Sequence, residues 1–435
     1  MTKDKLLVLG AGESGIGAAL LGLAQGFDVF VSDFGKIADD QKQLLNEQGI
    51  PFEEGSHDLA PKHPKIVVKS PGIPDTAPII KELKSNNAKI YSEIEFAYQY
   101  TDAKIIAITG TNGKTTTTKL IYHLLKESGF NVGLAGNIGI SFAKEVLQNN
   151  YDWYVLEISS FQLDDIETFA PDISLLLNIT PDHLDRYNYD IDQYAKSKFR
   201  ILENMSMKGV FIHSADDENI NRHINKINIK PWALPFDHTF YHEQKLSIPF
   251  KGQSFTFDQL PLKGPHNEWN MSAAILAALS AGVDASDIQK ALPSFIGEPH
   301  RLQFVKEVNG IKYINDSKAT NVEAAFFALQ SFDTPIIWIA GGTDKGNDYS
   351  LLHDAVERRV KSIVCLGVDN SKLLAAFGDQ KVMFETESMK EAISLATQNA
   401  DQGDIVLLSP ACASFDLFKN YMDRGNHFIE SVQNL

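Results

Sequence analysis

The residues best suited to chemistry lie in the segment Gly110–Thr116, which reads Gly-Thr-Asn-Gly-Lys-Thr-Thr. An apolar run precedes it and a helix-length amphipathic segment follows, which is the setting of a phosphate-binding loop. The two glycines permit a tight turn, Lys114 supplies positive charge and the Thr115 hydroxyl is a suitable Mg²⁺ ligand. Ile108 stands where the general motif has its first glycine, so the loop is a variant. The pattern predicts binding of ATP or GTP.

Two acidic or basic side chains follow neighbouring apolar runs. Glu157 ends a strand predicted at 153–158, and ligands of open α/β sheets bind where such strands end. Glu157 is therefore a candidate Mg²⁺ ligand, although taken alone it could be a solvated strand terminus. His183 follows the next predicted strand, 173–179. A loop histidine is more often a surface residue than a ligand, but a position one strand along from Glu157 favours the same site.

A second glycine-rich turn, Gly10–Gly15, reads Gly-Ala-Gly-Glu-Ser-Gly between a short apolar run and a helix-like segment. Asp33 follows at the end of the next predicted strand. Alone, this pattern indicates a dinucleotide site and a dehydrogenase. The same geometry serves any nucleotide diphosphate whose phosphates meet a helix N-terminus, and an NAD-dependent oxidoreductase would explain nothing after the first fifty residues.

The elements that must position these residues alternate between apolar runs and amphipathic helices, which predicts an α/β fold with parallel sheets. Three domains are expected: an N-terminal Rossmann-like domain (1–98), a central P-loop ATPase-like domain (99–298) and a C-terminal Rossmann-like domain (299–435). Residues 236–262 are rich in turns and predict a small antiparallel sheet in the central domain. Asn309-Gly310 predicts a hairpin turn in the third domain.

Composition excludes several classes of protein. The 435 residues are 43% hydrophobic with a net charge of -16, which argues against general affinity for nucleic acid or anionic membranes. Cys365 and Cys412 are the only cysteines, too few for a disulfide framework or a cysteine-rich metal site. The N-terminal apolar run predicts a buried strand, not a signal peptide, and no run predicts a membrane span. A cytoplasmic protein is expected.

Eight segments along the chain resemble the Mur ligases, which share architecture and mechanism with the folylpolyglutamate synthetases. The segments are GTNGKTT, EISSFQL, NITPDHLDRY, GPHNEWN, HRL, NDSKATN, GGTDKG and SPACASFDLFKNY. The first is common to the family, whereas EISSFQL, DSKATN and SPACASFD are similar to its D-glutamate-adding members.

The resemblance implies an ATP-dependent ligase of peptidoglycan precursor synthesis, and hence of cell-wall biogenesis, cell shape and division. ATP would phosphorylate the carboxylate of UDP-N-acetylmuramoyl-L-alanine, and D-glutamate would attack the acyl phosphate. The implied cofactors are two Mg²⁺ ions. The expected partners are these small molecules, with no nucleic acid, membrane or obligate protein partner, and the expected state is a monomer.

The resemblance also implies the catalytic and metal-binding residues. Lys114 would neutralise phosphate charge, Thr115 and Glu157 would hold the Mg²⁺ of ATP, and His183 would hold a second metal. Lys198 matches the lysine that this family carbamylates, which converts a cation into an oxygen ligand. The residues alone do not separate Lys196 from Lys198.

The resemblance also implies which residues bind each of the three substrates. For ATP they are Gly110, Thr111, Asn112, Gly113, Lys114, Thr115, Thr116, Asn270, Arg301 and Asp316. For the UDP substrate they are Gly12, Glu13, Ser14, Asp33, Phe34, Ser70, Pro71, Gly72 and Asn137. For D-glutamate they are His183, Lys318, Thr320, Lys345, Ser414, Phe415 and Tyr421.

Three positions depart from the family pattern. Phe34-Gly35 replaces a basic residue that members often carry, and we hypothesise that Phe34 stacks on the uracil ring. Phe415 and Tyr421 replace a leucine and a phenylalanine, which affects the fine shape of the amino-acid pocket.

Other functions stay open at this point. They are another Mur ligase or a folylpolyglutamate synthetase, a non-catalytic nucleotide-binding protein, and, with least support, the oxidoreductase. The implied ATP and D-glutamate residues lie on both sides of Pro299, so we predict domain closure on substrate binding. Identical small-angle scattering profiles with and without ATP plus the UDP substrate would contradict this.

Overall fold

A computed structural model describes residues 3–227, 231–344 and 346–435. The described chain is an α/β protein with four sheets, as predicted. None of its described helices is both long and apolar enough to cross a membrane. Two compact units are present: the chain up to Leu260 with Trp269–Phe295, and Pro261–Glu268 with Ile296–Leu435. The domain boundaries placed after residues 98 and 298 stay predictions.

The first sheet is parallel and holds the strand order β3-β2-β1-β4-β5. Its strands are β1 (Lys5–Leu9), β2 (Asp28–Asp33), β3 (Phe52–Glu54), β4 (Ile66–Lys69) and β5 (Lys89–Ser92). Its helices are α1 (Glu13–Ala24), α2 (Asp39–Glu47), α3 (Pro78–Ser85) and α4 (Glu93–Tyr98). The chain reverses its direction across the sheet between β1 and β4, and a crevice forms at such a switch point.

The second sheet is also parallel, with the order β11-β10-β9-β6-β8-β7. Its strands are β6 (Lys104–Thr109), β7 (Val132–Gly136), β8 (Trp153–Glu157), β9 (Ile173–Leu176), β10 (Val210–Ser214) and β11 (Trp232–Phe236). Its helices are α5 (Lys114–Glu127), α6 (Phe142–Gln148), α7 (Ser160–Asp164), α8 (Ile191–Phe199) and α9 (Glu218–Ile224).

The predicted small antiparallel sheet is confirmed. It consists of β12 (Tyr241–His242), β13 (Lys245–Phe250) and β14 (Gln253–Phe257), and helices α10 (Pro265–Ala281) and α11 (Ala285–Ala291) follow it. Three predicted bounds were wrong. Phe236 belongs to β11 of the large sheet, β8 ends at Glu157, not at residue 158, and β9 ends at Leu176, not at residue 179. The apolar run continues past β9 because Ile179 is buried in the loop beyond the strand.

The last sheet has the order β15-β16-β20-β17-β18-β19 and is parallel apart from the β15–β16 hairpin. Its strands are β15 (Gln303–Val308), β16 (Ile311–Asn315), β17 (Ile336–Ala340), β18 (Val360–Leu366), β19 (Val382–Thr386) and β20 (Ile405–Leu408). Its helices are α12 (Val322–Gln330), α13 (His353–Arg359), α14 (Ser371–Phe377), α15 (Met389–Gln398) and α16 (Tyr421–Gln433). Asn309 and Gly310 both have positive φ (53° and 78°), so the predicted hairpin turn is confirmed.

Side chains of the central strands alternate between two buried layers. In β1, Leu6 and Val8 pack in one apolar cluster, whereas Leu7 and Leu9 pack in another on the opposite face. All four are fully buried. Helices cover both faces, as a parallel sheet requires, which leaves the strand ends as the places where polar side chains can gather.

Candidate functional site

The phosphate-binding loop joins β6 to α5, and two of its glycines have positive φ (Gly110 153°, Gly113 83°). A Cβ atom at Gly113 would lie 2.3 Å from Oδ1 of Asn270, so only glycine fits there. The same Asn270 oxygen accepts a hydrogen bond from the Thr117 hydroxyl at 3.3 Å, which fixes α10 against the first turns of α5. The predicted ATP residue Asn270 therefore lies beside the loop.

A residue without a predicted role holds the loop from its other side. The side-chain oxygen of Asn178 accepts the N–H groups of Thr111 (3.1 Å) and Asn112 (2.7 Å), and its amide donates to the carbonyl of Asn112 (3.0 Å). Asn178 follows β9, which is the neighbour of β6. Asn178 could have been noticed in the sequence only as a polar residue that directly follows an apolar run.

Two lysines converge on the same loop carbonyl. Nζ of Lys114 donates to the carbonyl oxygens of Gly110 (2.9 Å) and Thr111 (2.8 Å), and Nζ of Lys198 donates to that of Gly110 (2.7 Å). Lys198 is buried, whereas Lys196 is exposed on the same helix. Burial, followed by repulsion from Lys114, holds the pKa of Lys198 well below its ordinary value. Lys114 thus brings positive charge to the loop, which suits an anion.

Glu157 ends β8, the other neighbour of β6, and its side chain is buried at 2% exposure. Its Oε1 atom accepts a hydrogen bond from the amide of Asn137 (3.0 Å). Its Oε2 atom is buried and has no hydrogen-bond partner among the residues that the structure describes. A buried carboxylate oxygen without a donor fits a cation, so the donor set is compatible with Mg²⁺. Thr115 lies in the first turn of α5.

His183 lies in the loop beyond β9, and β6 separates that strand from β8. Glu157 and His183 therefore follow strands on opposite sides of the phosphate loop, not adjacent strands as their order in the chain suggested. The His183 side chain is 55% exposed, with its ring 5.3 Å from that of Phe161 and Nε2 3.6 Å from Asp182. Within 3–227, 231–344 and 346–435, no three His, Cys, Asp or Glu side chains are grouped to hold a metal ion.

A cleft of about 870 Å³ opens at the switch point of the first sheet. Most residues predicted for the UDP substrate line it: Gly12, Ser14, Asp33, Phe34, Ser70, Pro71 and Gly72. Glu13 and Asn137 are not among the lining residues. Glu13 lies 3.7 Å from the Lys144 ammonium, and Asn137 donates to Glu157.

Asp33 shapes the glycine-rich turn of this cleft from within. Its two carboxylate oxygens accept the N–H groups of Ala11 and Gly35, each at 2.7 Å. Arg186 donates to the carbonyl oxygens of two residues of the cleft, Gly72 and Ile73, at 3.4 Å. His57 also lines the cleft. It was not predicted, because it lies in an irregular segment after β3 that matches no motif.

Two predicted ATP residues, Arg301 and Asp316, lie in the unit that contains the last sheet. Asp316 is buried after β16, and burial raises its pKa to about 7, although the Ser409 hydroxyl and Arg301 act in the opposite direction. Ser409 donates to Oδ2 of Asp316 at 2.8 Å. Nε of Arg301 is buried without a hydrogen-bond partner among the described residues. Arg301 can therefore gain a polar partner from a ligand, whereas each oxygen of Asp316 already accepts a hydrogen bond, from Ser409 and from the N–H of Leu302 (3.1 Å).

Apart from His183, the described residues predicted for D-glutamate lie in the unit that contains the last sheet, and Tyr421 among them is the first residue of α16. Nζ of Lys318 lies 5.6 Å from the ring centre of Tyr421 and 3.8 Å from Oε1 of Glu298. Ser414 is buried, whereas Thr320 and Phe415 are exposed. The remaining predicted residue, Lys345, lies outside the described residues.

The structure adds Arg424, a buried arginine of α16, to this region. Its guanidinium donates to the carbonyl oxygens of Ser317 (2.9 Å) and Cys412 (3.1 Å) and to the Ser317 hydroxyl (3.0 Å). Weaker contacts of 3.4 Å reach the carbonyls of Gly341 and Ala413. One cation thus joins the three loops that carry the predicted amino-acid pocket, and burial lowers its pKa to about 10.

Models of known protein families match most of the chain. Three family models match: MurD N-terminal domain over residues 5–78, Mur ligase middle domain over 108–278, and Mur ligase, glutamate ligase domain over 300–412. A protein of Christiangramia forsetii named UDP-N-acetylmuramoylalanine--D-glutamate ligase is 48% identical over 442 residues, covering 99% of each chain. A protein of the same name from Porphyromonas gingivalis is 47% identical over 447 residues, covering 100% of this chain and 99% of its own.

Solved structures share the fold at lower identity. UDP-N-acetylmuramate-alanine ligase MurC from Thermotoga maritima has a TM-score of 0.62 and 20% identity, with 99% of each chain covered. MurF from Acinetobacter baumannii also has a TM-score of 0.62 and 20% identity, with 81% of this chain and 87% of the other covered. At this identity the likeness establishes the fold alone.

Proposed function

This chain belongs to the Mur ligase family, and we propose that it joins D-glutamate to UDP-N-acetylmuramoyl-L-alanine at the expense of ATP. The observation that carries the choice of member is the 48% identity, over 99% of both chains, with a relative named for that reaction. The reaction belongs to peptidoglycan precursor synthesis, and its nucleotide substrates place it in the cytoplasm.

The proposed reaction has two steps. A carboxylate oxygen of the L-alanyl group attacks the γ-phosphorus of ATP, and the bond to the β-phosphate oxygen breaks to release ADP. The amine of D-glutamate then attacks the acyl carbon, the amide bond forms, and phosphate leaves as the nitrogen loses a proton. Phosphorylation is needed because a free carboxylate is a poor electrophile, and the protein contributes mainly positioning and charge neutralisation.

The loop after β6 supplies the first of these contributions. Its N–H groups and the N-terminus of α5 would bind the β- and γ-phosphates, and the ammonium of Lys114 would neutralise the charge that moves during transfer. The contacts of Lys114 with the carbonyls of Gly110 and Thr111 already hold it over this turn. Asn270 would contact the adenine end of ATP, and Arg301 and Asp316 would hold its phosphate and ribose.

Thr115 and Glu157 would hold the Mg²⁺ of ATP, and the unpartnered Oε2 atom of Glu157 supports this role. Mg²⁺ supplies charge neutralisation of the phosphates. His183 and a carbamate on Lys198 would form a second metal site. Carbamylation needs a neutral amine, and the lowered pKa of the buried Lys198 favours that form.

The remaining substrates would occupy the other two regions. The cleft beside Gly12 and Asp33 would take the uridine diphosphate, with its phosphates at the N-terminus of α1. The loops joined by Arg424, with Lys318, Thr320, Lys345, Ser414, Phe415 and Tyr421, would take D-glutamate, whose two carboxylates suit lysine and hydroxyl donors.

The test is phosphate release that requires both ATP and Mg²⁺, with UDP-N-acetylmuramoyl-L-alanine and one amino acid at a time. D-glutamate, L-glutamate, L-alanine, L-lysine and meso-diaminopimelate form the panel. Turnover with D-glutamate alone is the expected result. Turnover with another acceptor would show that the protein belongs to a different branch of the family. Turnover with none of them would contradict the proposed reaction and support nucleotide binding alone.

A further inference from the structure

A three-residue hydrogen-bond chain forms one wall of the cleft in the first sheet. The hydroxyl of Ser32, at the end of β2, lies 2.8 Å from Oε1 of Glu53 and 2.6 Å from Nδ1 of His57. Ser32 and Glu53 are buried, and His57 is half-buried where it lines the cleft. The other oxygen of Glu53 accepts the N–H of Leu59 at 2.9 Å. The segment after β3 is thereby fixed against the sheet.

The hydrogen bonds among Ser32, Glu53 and His57 determine which ring nitrogen of His57 carries the proton. Ser32 has one hydroxyl proton, and the buried carboxylate of Glu53 can only accept it. If Ser32 donated to His57 instead, its oxygen would face the Glu53 oxygen at 2.8 Å without a proton between them. Nδ1 of His57 is therefore the donor to Ser32, which leaves Nε2 as the ring nitrogen that can accept a hydrogen bond. Nε2 makes no hydrogen bond with the residues that the structure describes.

An exposed aromatic ring accompanies this acceptor. The Phe34 side chain is 74% exposed, which is unusual for a phenylalanine, and its ring centre lies 5.9 Å from that of His57 at an interplanar angle of 40°. Both rings line the cleft that also contains Gly12 and Asp33. An aromatic face beside a fixed hydrogen-bond acceptor is the pairing that reads a nucleobase, because stacking supplies affinity and the acceptor supplies discrimination.

We propose that His57 and Phe34 select the uracil base of the substrate, with Nε2 of His57 accepting the N3–H of uracil while Phe34 covers one face of the ring. The inference rests on the proposed function, which places a uridine diphosphate in this cleft. Uracil carries a proton on N3, whereas cytosine carries a lone pair there. A cytidine nucleotide would therefore place two acceptors against each other, while stacking on Phe34 would be nearly the same for both bases.

The experiment compares UDP with CDP as ligands of the full chain by titration calorimetry. The wild-type protein is expected to bind UDP about tenfold more tightly than CDP. His57→Asn keeps a donor for Ser32 but has no atom at the position of Nε2, so this variant should bind UDP and CDP with about equal affinity. His57→Gln has an amide oxygen near the position of Nε2 and should retain part of the preference. His63→Asn, an exposed histidine of the same domain that does not line the cleft, is the matched control.

Substitution of Phe34 separates stacking from discrimination. Phe34→Leu should weaken UDP and CDP binding by the same factor, about tenfold, and leave their ratio unchanged. The KM for ATP, measured in every variant, should stay at the wild-type value and so report that the protein is folded.

Equal affinity of the wild-type protein for UDP and CDP, or an unchanged ratio in His57→Asn, would overturn the inference. The turnover assay with D-glutamate on the wild-type protein is scored separately. Turnover together with an unchanged ratio in His57→Asn would reject base selection alone. Selective UDP binding without turnover would reject the proposed reaction but would still support the selection of uracil by His57 and Phe34.

Discussion

Two glycine-rich turns of similar design, strand followed by turn followed by helix, carry opposite charge in this molecule. The turn after β1 is held by the carboxylate of Asp33, and no lysine or arginine is among the described residues that line its cleft. The turn after β6 has the Nζ atoms of two lysines, Lys114 and Lys198, within 2.9 Å of one carbonyl oxygen, that of Gly110. Backbone geometry thus provides anion binding in both turns, whereas the side chains brought to it decide whether charge can also be neutralised during a reaction.

Changes at the two turns are expected to affect different kinetic constants. Changes at the turn after β6 should lower kcat, because a moving phosphoryl group is stabilised there. Changes at the turn after β1 should raise the KM of the UDP substrate and leave kcat alone, because that turn only holds a diphosphate. Four experiments test this, in order of decreasing effect.

Lys114→Met should lower kcat by at least about 10³-fold, because the moving phosphate charge loses its cation. Phosphate release under saturating substrates measures it. Lys126→Met, at the other end of the same helix, is the control and should be fully active. A Lys114→Met variant with only a raised KM for ATP would show that this turn too serves binding alone.

Lys198→Met should lower kcat by about 10²-fold, whereas Lys196→Met should have little effect, because only Lys198 is buried against the loop. Carbon-13 NMR of protein equilibrated with labelled bicarbonate should show a carbamate resonance that Lys198→Met lacks and Lys196→Met keeps. A resonance that persists in Lys198→Met would refute the assignment of the modified lysine.

Gly113→Ala and Gly12→Ala compare the two turns directly. A methyl group at Gly113 meets Asn270 at 2.3 Å and the residue has positive φ, so about 1–3 kcal/mol of strain and a lowered kcat are expected. A methyl group at Gly12 meets nothing within 4 Å, so thermal stability should stay unchanged while the KM of the UDP substrate rises. Equal loss of stability in both variants would contradict the comparison.

Asp33→Asn should have the smallest effect, a rise of about tenfold in the KM of the UDP substrate at constant kcat. The amide has one oxygen and can accept only one of the N–H groups of Ala11 and Gly35, so the turn loosens without loss of any catalytic group. Asp28→Asn, at the other end of the same strand, is the control. A fall in kcat with unchanged KM would place chemistry at the first turn.

Local patterns predicted much of the fold. The small antiparallel sheet and the Asn309-Gly310 turn were predicted, because apolar runs and turn residues act within a few positions. Strand order was less accessible. The placement of β6 between β8 and β9 moved His183 away from the position that its place in the chain suggested.

Short stretches of consecutive residues were enough to predict the two glycine-rich turns, the α/β class and the family. Which distant side chains meet these turns depends on how the chain packs. Lys198 reaches Gly110 across 88 positions, Arg424 reaches Ser317 across 107, and His57 reaches Ser32 across 25. Such contacts depend on strand order and helix packing, which arise from burial of the whole apolar core and leave no short pattern at the polar residues themselves.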